Sequence, residues 1–483
     1  MKALLFGKQS LAGARKNARG VATLEILIAF TILMLSLSAV ILVVFSNQSI
    51  SVDTQTNQEA VYKAQAQIEQ ARSLSYQDFN SVVSVAPAQD DIYQKSVTVD
   101  SVDAYTKKVT STVSWNLLGR SLAVNLVTLL TNPTVGNSCY ASLSGDWTAP
   151  SMRSYEFGKD LLVPSDSSSG YPITSVQAMG NKLYVTVNNT HGNNNPTLFA
   201  FDISDITQKP QFLWGVDNSQ AVGEGLQAVA IFGHYAYTAN AYTGSSASCT
   251  VAANCAQLQI IDLDNRAAQT NVKIPATTSG NKLANGTSIF YSKGYVYVGL
   301  AKASGSGSEF YIIDVGGGGS PASPTNPLVR GSYAVGNGVN SIFVKDTYAY
   351  VASPNAENIT ILDVSNPMSP TRVGGYTPAG SSNGKSVYMK EGVIYFGRTY
   401  GNNGEFYMLN SPSGSLIKFK DIGSGNGTSI NGLLIRESLA FLITGEQFEV
   451  WDTSGSISQY ATPLTLPGGS GTSLGCKGIY IYV

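Results

Sequence analysis

The longest apolar segment of the chain covers residues 26–45 and contains no charged side chain. At about 1.5 Å of rise per residue, a helix of this length spans roughly 30 Å, the thickness of the hydrocarbon core of a bilayer. One acid, Glu25, stands directly before the segment. A carboxylate at the end of a membrane helix is costly without a partner, so it indicates a function. The pattern predicts a membrane helix with a functional acid at its head.

Helical periodicity continues beyond this segment, but with a single apolar face. No Gly or Pro interrupts residues 52–76. The apolar residues that recur there at helical spacing are Val61, Ala64, Ile68 and Ala71. Residues 95–100, 107–117 and 121–130 then have β character, with Gly119-Arg120 as the turn of a hairpin. We therefore expect a long helix followed by a small antiparallel sheet.

Residues 20–25, Gly-Val-Ala-Thr-Leu-Glu, together with the apolar helix resemble the signature of type IV prepilins. The resemblance implies that residues 1–20 are a basic leader, removed by a prepilin peptidase after Gly20, and that the new N-terminus, Val21, is methylated. It also implies that Glu25 pairs with the N-terminal amine of a neighbouring pilin subunit. Val21 stands where major pilins usually carry Phe, which favours a minor pilin or pseudopilin. A plain signal anchor is the alternative.

The same resemblance defines the first domain. Residues 21–135 are similar to a pilin module, in which the helix over residues 21–78 serves as transmembrane and assembly helix and packs on the small sheet. The prepilin peptidase and the pilus assembly machinery would then be partners, together with other pilin subunits and, before assembly, the membrane.

The rest of the chain contains a repeat. A small residue opens a β-rich run that ends nine positions later on an aromatic residue. The seven pairs are Ser175/Tyr184, Ala228/Tyr237, Ser288/Tyr297, Ser341/Tyr350, Ser386/Tyr395, Gly432/Phe441 and Ser473/Tyr482. Six further strands end in an acid or amide, at Asp202, Asp262, Asp314, Asp363, Asn410 and Asp452. The aromatic residues recur every 41 to 60 positions, which fits the four strands of a β-propeller blade.

Residues 359–367, Ile-Thr-Ile-Leu-Asp-Val-Ser-Asn-Pro, resemble the LVIVD-type propeller repeat. The resemblance implies a propeller fold and surface display, and it brings no catalytic residues. We expect the repeated Asp side chains to bond the backbone of the turn after each strand, because no Asp-x-Asp-x-Asp-Gly spacing accompanies them. The serines that open the inner strands are expected to be structural turn residues, with the lining of one channel mouth as the alternative.

The last repeat supplies only two strands before the sequence given ends. The strand-like residues 138–144 and 151–157 are expected to complete that blade. The fold class is therefore mainly β: a pilin-like helix and sheet, then a seven-bladed β-propeller over residues 136–483 closed by strands from both ends.

Four cysteines are expected outside the cytoplasm, where disulfides persist. If the terminal strands share a blade, Cys139 and Cys476 lie in it, and their bond would contribute roughly 4–5 kcal/mol by closing a very long loop. Cys249 and Cys255 would then pin one insertion. Four cysteines allow three pairings, and we expect this one. Zinc is the rival, but the two histidines fall in different predicted blades.

Composition excludes some functions. Without the five leader cations, 25 basic and 31 acidic residues remain, giving a charge of about −6, so we expect no nucleic-acid partner. Two histidines leave little room for Ser-His-Asp chemistry, and the Gly-rich segments lack a phosphate-loop Lys-Ser/Thr. We expect no enzyme and no cofactor.

Two functions remain open. The first is a minor type IV pilin that displays the propeller at or near the pilus tip and binds a surface ligand, a glycan or a protein. The second is a pseudopilin-like subunit of a secretion or DNA-uptake system whose propeller binds a passenger. Both place the chain in the inner membrane by a single pass before assembly; the pilin would afterwards lie at the cell surface.

Overall fold

The computed structural model divides the chain into two compact units, residues 1–131 and 132–483. The described residues are 19–77, 79–102, 106–117, 119–131, 145–155, 172–188, 196–205, 207–216, 225–241, 256–277, 283–305, 307–318, 321–355, 357–401, 404–423, 429–467, 471–477 and 479–483.

The first unit begins with one helix, α1 (Arg19–Gln77), as the sequence predicted. Its stretch Leu24–Val44 is long and apolar enough to cross a membrane and packs against nothing within the described residues. Such a helix is suited to a membrane span or a signal anchor.

A four-stranded antiparallel sheet in the order β1-β2-β3-β4 follows a short 3-10 turn, Phe79–Ser81. Its strands are β1 (Val85–Asp90), β2 (Tyr93–Ser101), β3 (Thr106–Leu117) and β4 (Arg120–Thr131). β1 was not predicted, because its sequence contains Pro87 and nearly all of its residues are exposed. The hairpin turn lies one residue earlier than expected: Arg120 already pairs with Leu117, and Gly119 takes the positive φ of 79°.

The second half of α1 packs on this sheet through its apolar face. Ala60 and Ala64 are fully buried against Tyr93, Val113 and Trp115, since only small side chains let the helix approach the aromatic rings this closely. The next turns bury Ile68 and Ala71 against the same sheet.

In the second unit, the described residues form six antiparallel sheets, each with four strands in chain order from the inner to the outer edge; in the sixth sheet a fifth strand also pairs with the third. The first three are β5 (Ile173–Met179), β6 (Lys182–Val187), β7 (Leu198–Asp202) and β8 (Gln211–Val216); β9 (Leu226–Phe232), β10 (Tyr235–Asn240), β11 (Leu258–Asp262) and β12 (Gln269–Val272); and β13 (Gly286–Ser292), β14 (Tyr295–Leu300), β15 (Phe310–Asp314) and β16 (Leu328–Tyr333).

The remaining sheets follow the same plan. They are β17 (Ser341–Lys345), β18 (Tyr348–Ala352), β19 (Ile359–Asp363) and β20 (Thr371–Tyr376); β21 (Gly384–Lys390), β22 (Val393–Arg398), β23 (Phe406–Asn410) and β24 (Leu416–Lys420); and β25 (Ile430–Arg436), β26 (Leu439–Thr444), β27 (Gln447–Asp452), β28 (Ser458–Gln459) and β29 (Leu464–Thr465). A two-stranded hairpin, β30 (Gly475–Lys477) and β31 (Tyr480–Tyr482), ends the described chain.

The sheets are arranged as a ring. The first strand of each sheet packs beside the first strand of the next, and β30 of the hairpin packs beside β5. The middle strands are buried on both faces, so they read as continuous apolar runs. The predicted aromatic residues of the second strands, from Tyr184 to Phe441, are all buried between sheets.

The hairpin lies between the sixth sheet and the first. Leu474 and Ile481 pack against the core of the sixth sheet, and Tyr482 packs against the core of the first. Trp147, from the segment before the first sheet, places its ring edge-on to Phe441 at 4.9 Å between centroids. Strands near the end of the chain thus close the ring beside its beginning.

The strand predicted for residues 151–157 is wrong for its described part. Residues 151–155 are exposed throughout and pair with no strand. Asp146 accepts hydrogen bonds from the backbone N–H (2.9 Å) and hydroxyl of Thr148, which favours a turn, and Pro150 offers no N–H to a ladder. The other predicted outer strand, residues 138–144, lies outside the described residues.

Candidate binding surface at the mouth of the ring

Antiparallel pairing places corresponding strand ends on one side of the ring. In the first sheet, Ile173 pairs with Val187 and Leu198 pairs with Val216, so the ends of the second and fourth strands lie on the same side as the starts of the first and third strands. We call this side the mouth face. The turns between first and second strands lie on the opposite face.

Around the axis, the mouth face is bordered by the residue that precedes the small residue of each repeat. We call these seven positions the rim: Thr174, Gln227, Thr287, Asn340, Lys385, Asn431 and Thr472. Five rim side chains donate a hydrogen bond to a backbone carbonyl of the neighbouring sheet or hairpin around the ring. The bonds are Thr174 to Leu226 (2.5 Å), Thr287 to Val339 (2.5 Å), Asn340 to Gly384 (2.6 Å), Asn431 to Gly471 (3.1 Å) and Thr472 to Ile173 (3.2 Å).

These bonds tie neighbouring inner strands together, including both junctions of the C-terminal hairpin. Sequence reasoning missed them, although Thr or Asn before the small residue in five of the seven copies was a signal. The serines that were singled out lie one position further on. Ser175, Ser288 and Ser386 are buried within strands and do not line an open mouth, which supports their structural role but corrects their assignment to turns.

Among the described residues, the rim departs from its pattern at Gln227, for which no such bond occurs, and at the fifth sheet. The rim residue there is Lys385, and the next residue, Ser386, makes the bond to the following sheet, from its hydroxyl to the Ile430 carbonyl at 2.8 Å. Lys385 is half-buried. Its ammonium group makes no hydrogen bond or ion pair with the described part of the chain, so the rim carries one cation without a described partner.

Behind the rim, a buried polar side chain directly before the third strand of four sheets bonds the mouth-face segments; these residues are Gln257, Glu309, Asn358 and Glu405. Glu309 is the clearest example: its carboxylate accepts N–H bonds from Ala303 (3.2 Å), Val335 (2.9 Å) and Gly336 (3.0 Å). Gln257 bonds both the N–H and the carbonyl of Ile274 in the same way. These bonds hold the described mouth-face segments around Ile274, Ala303 and Val335 in place.

The fifth sheet buries two charged groups near its mouth end. Burial raises the pKa of Glu405, although N–H bonds from Gly401 and Ile422 oppose the shift. Arg398 is fully buried and donates to the Ala379 carbonyl (3.2 Å) and the Tyr407 hydroxyl (3.1 Å). Both groups hold segments of the mouth face in place.

The repeated acids lie on the opposite face, in the predicted role. Asp363 accepts the N–H of Ser365 at 2.8 Å, and this bond with that of the Ser365 hydroxyl lowers the pKa of the carboxyl group. Asp202 and Asp452 bond the residue two positions on in the same way. Burial opposes ionisation of Asp314, but N–H bonds and Arg330 lower its pKa nonetheless.

The other predicted site residues fall in different parts of the chain. Glu25 is exposed on α1, one turn after Val21 and close to Gly20 on the same helix. Cys476 is fully buried on β30 and is disulfide-bonded. Cys139, Cys249 and Cys255 lie outside the described residues, so the expected pairing stays a prediction. No group of three or more His, Cys, Asp or Glu side chains suited to a metal occurs among the residues described.

Comparisons with known proteins bear on the ring. The family model of the LVIVD repeat matches residues 337–378, which contain the whole fourth sheet. No curated protein matches the sequence significantly. Similar solved structures include the extracellular domain of BT4673 from B. thetaiotaomicron (12% identity, 80% of this chain and 49% of that chain, TM-score 0.45). The Neurospora crassa Pan2 WD40 domain is a further example (10% identity, 64% of this chain and 84% of that chain, TM-score 0.43). Citrobacter koseri AztD is another (8% identity, 81% of this chain and 88% of that chain, TM-score 0.38).

The ring is a β-propeller domain. Four-stranded antiparallel sheets follow one another around an axis, each beginning at the inner edge, and one of them carries a recognisable propeller repeat.

Proposed function

We propose that this protein is a non-catalytic minor type IV pilin that displays its β-propeller at or near the pilus tip to bind a surface or partner. The observation that carries the proposal is the form of α1. Its exposed apolar half, Leu24–Val44, is followed in one unbroken helix by a half that packs on a four-stranded antiparallel sheet. A simple signal anchor has no need of such a helix-and-sheet module.

The leader motif supports the same proposal. Glu25 is exposed at the head of an apolar helix, where its charge favours a cationic partner. The N-terminal amine of a neighbouring Val21, freed by cleavage after Gly20, has the required charge. The propeller is too bulky to repeat along a filament shaft, which favours a rare subunit.

We also propose that the propeller has seven blades. The rim bonds at both junctions of the β30–β31 hairpin support this count, because the hairpin occupies the place of a seventh pair of inner strands. Lys477 adds a further link from the hairpin to the first sheet.

Mass spectrometry of the mature protein tests the pilin proposal. We expect the chain to begin at a methylated Val21, and Glu25→Ala to leave cleavage intact while lowering incorporation into pili. Glu391→Ala, which removes an exposed carboxylate of the propeller, is the matched control and should incorporate normally. A chain that starts at Met1, or normal incorporation of Glu25→Ala, would contradict the proposal.

Immunogold labelling against the propeller separates the alternatives. Label at pilus tips supports display on a pilus. Label confined to the cell envelope, with co-purification of secretion or uptake components, would replace the minor pilin by the pseudopilin-like subunit.

A further inference from the structure

The rim combines hydrogen-bond acceptors with a single cation. Each rim threonine donates its hydroxyl hydrogen to a neighbouring backbone carbonyl, which leaves the oxygen lone pairs of Thr287 and Thr472 as acceptors. The Thr174 oxygen has a further partner in the Thr186 hydroxyl at 3.0 Å. Asn340 and Asn431 donate through their amide nitrogen, and their amide oxygens make no hydrogen bond within the described residues. Lys385 is the only charged rim residue. A matching ligand presents several hydroxyl donors and at least one anionic group.

The described part of the mouth face differs from a protein-docking surface. Interface cores are rich in exposed apolar and aromatic side chains. In the described parts of the mouth-face segments that join strands or sheets, no large apolar side chain is exposed. Exposed apolar side chains occur instead on outer strands, for example Leu213, Val373 and Phe419, and Val483 is exposed where it follows β31. The described mouth-face residues therefore favour a polar ligand.

The acids of the fifth sheet lie away from Lys385. Glu405 directly precedes the third strand and Asp421 follows the fourth, whereas Lys385 is on the first. Neighbouring strands are about 4.8 Å apart, so Glu405 is roughly 10 Å from the inner strand. Each acid therefore lies two strands or more from Lys385 and makes no ion pair with it.

We propose that the rim of the propeller binds an acidic saccharide, with the Lys385 ammonium paired to a carboxylate of the sugar and the rim oxygens accepting its hydroxyl groups. This inference deepens the proposed function by naming the ligand class of the displayed domain. It does not depend on which filament or machine carries the chain.

Calorimetric titration of the full-length protein in detergent tests the proposal with three matched probes. They are tetragalacturonic acid, the neutral saccharide maltotetraose and the acidic peptide tetraglutamate. We expect saturable binding of tetragalacturonic acid that weakens as salt is raised, and much weaker binding of the other two. Lys385→Gln should weaken tetragalacturonic acid binding about tenfold, because a charge-assisted hydrogen bond is lost.

Lys345→Gln is the matched control, since Lys345 is exposed at the opposite end of an inner strand. It should bind tetragalacturonic acid as the wild type does. Independently of any variant, tetragalacturonic acid should slow the acetylation of Lys385 in the wild-type protein but not that of Lys345, as read by peptide mass spectrometry.

The proposal is overturned if tetragalacturonic acid does not bind, if tetraglutamate or maltotetraose binds equally well, or if Lys385→Gln binds normally. Unchanged acetylation of Lys385 in the presence of bound saccharide also overturns it. The start site of the mature chain is measured separately, so failure here leaves the test of the pilin module unaffected.

Discussion

Replacing Lys477 by Met probes the junction between the C-terminal hairpin and the first sheet. The Lys477 ammonium donates to the Asn181 side-chain oxygen at 2.9 Å and to the Ile203 carbonyl at 2.8 Å. Ile203 is buried, so the substitution leaves a carbonyl oxygen without this donor. Methionine keeps the apolar stem and its packing, which isolates the effect of the ammonium group.

The expected decrease in the free energy of unfolding follows from two opposing contributions. Hydrogen bonds from a charged group contribute about 1.5–3 kcal/mol each. Burial lowers the pKa of Lys477, which shows that removing the ammonium from water has a cost that offsets part of this gain. The side chain is also partly open to water. We therefore expect the free energy of unfolding of the propeller to fall by about 2 kcal/mol.

Calorimetry of the full-length protein measures this change. For a unit of 352 residues, an unfolding entropy of about 2 cal/mol/K per residue converts 2 kcal/mol into a decrease in Tm of roughly 3 °C. Hydrogen exchange should become faster in β31. Lys345→Met removes the same charge from an exposed site and should leave Tm unchanged. Equal Tm values for the two variants would refute the role of Lys477 at the junction.

Three further outcomes are expected. Glu309→Gln should destabilise the propeller by about 1–3 kcal/mol in urea unfolding, because an amide NH₂ would face backbone N–H groups, whereas exposed Glu446→Gln should change nothing. The pKa of Asp363 lies below its ordinary 3.8, so the stability that its carboxylate contributes is present above that pH and is lost as pH falls through the lower folded value. Asp363→Asn should therefore lose less stability between pH 5 and 3 than wild type. An equal loss would contradict the turn bond. Peptide mapping without reductant should join Cys139 to Cys476, and any other partner of Cys476 would reject the expected pairing.

Local pattern alone determined the long helix of the first unit and the inner strands of the second. The uncharged segment after Glu25 and the Ala-rich face after it fixed a long helix, because helical periodicity depends only on residues three and four apart. The recurrence of an aromatic residue nine positions after a small one located the first two strands of each sheet. The Asp bonds were also accessible, since donor and acceptor lie two residues apart, as in Asp363 and Ser365.

Only the tertiary structure decided how the ring is closed and which polar and charged side chains lie at the rim. The bond from Thr174 to Leu226 joins residues that are 52 positions apart. Because the repeats differ in length, no fixed spacing in the sequence predicts this bond. The strand expected at residues 151–157 failed for the same reason: strand character needs a partner edge, and the described segment finds none. Whether Lys385 is paired likewise depends on which neighbours the ring brings to it, and that is settled by packing between sheets.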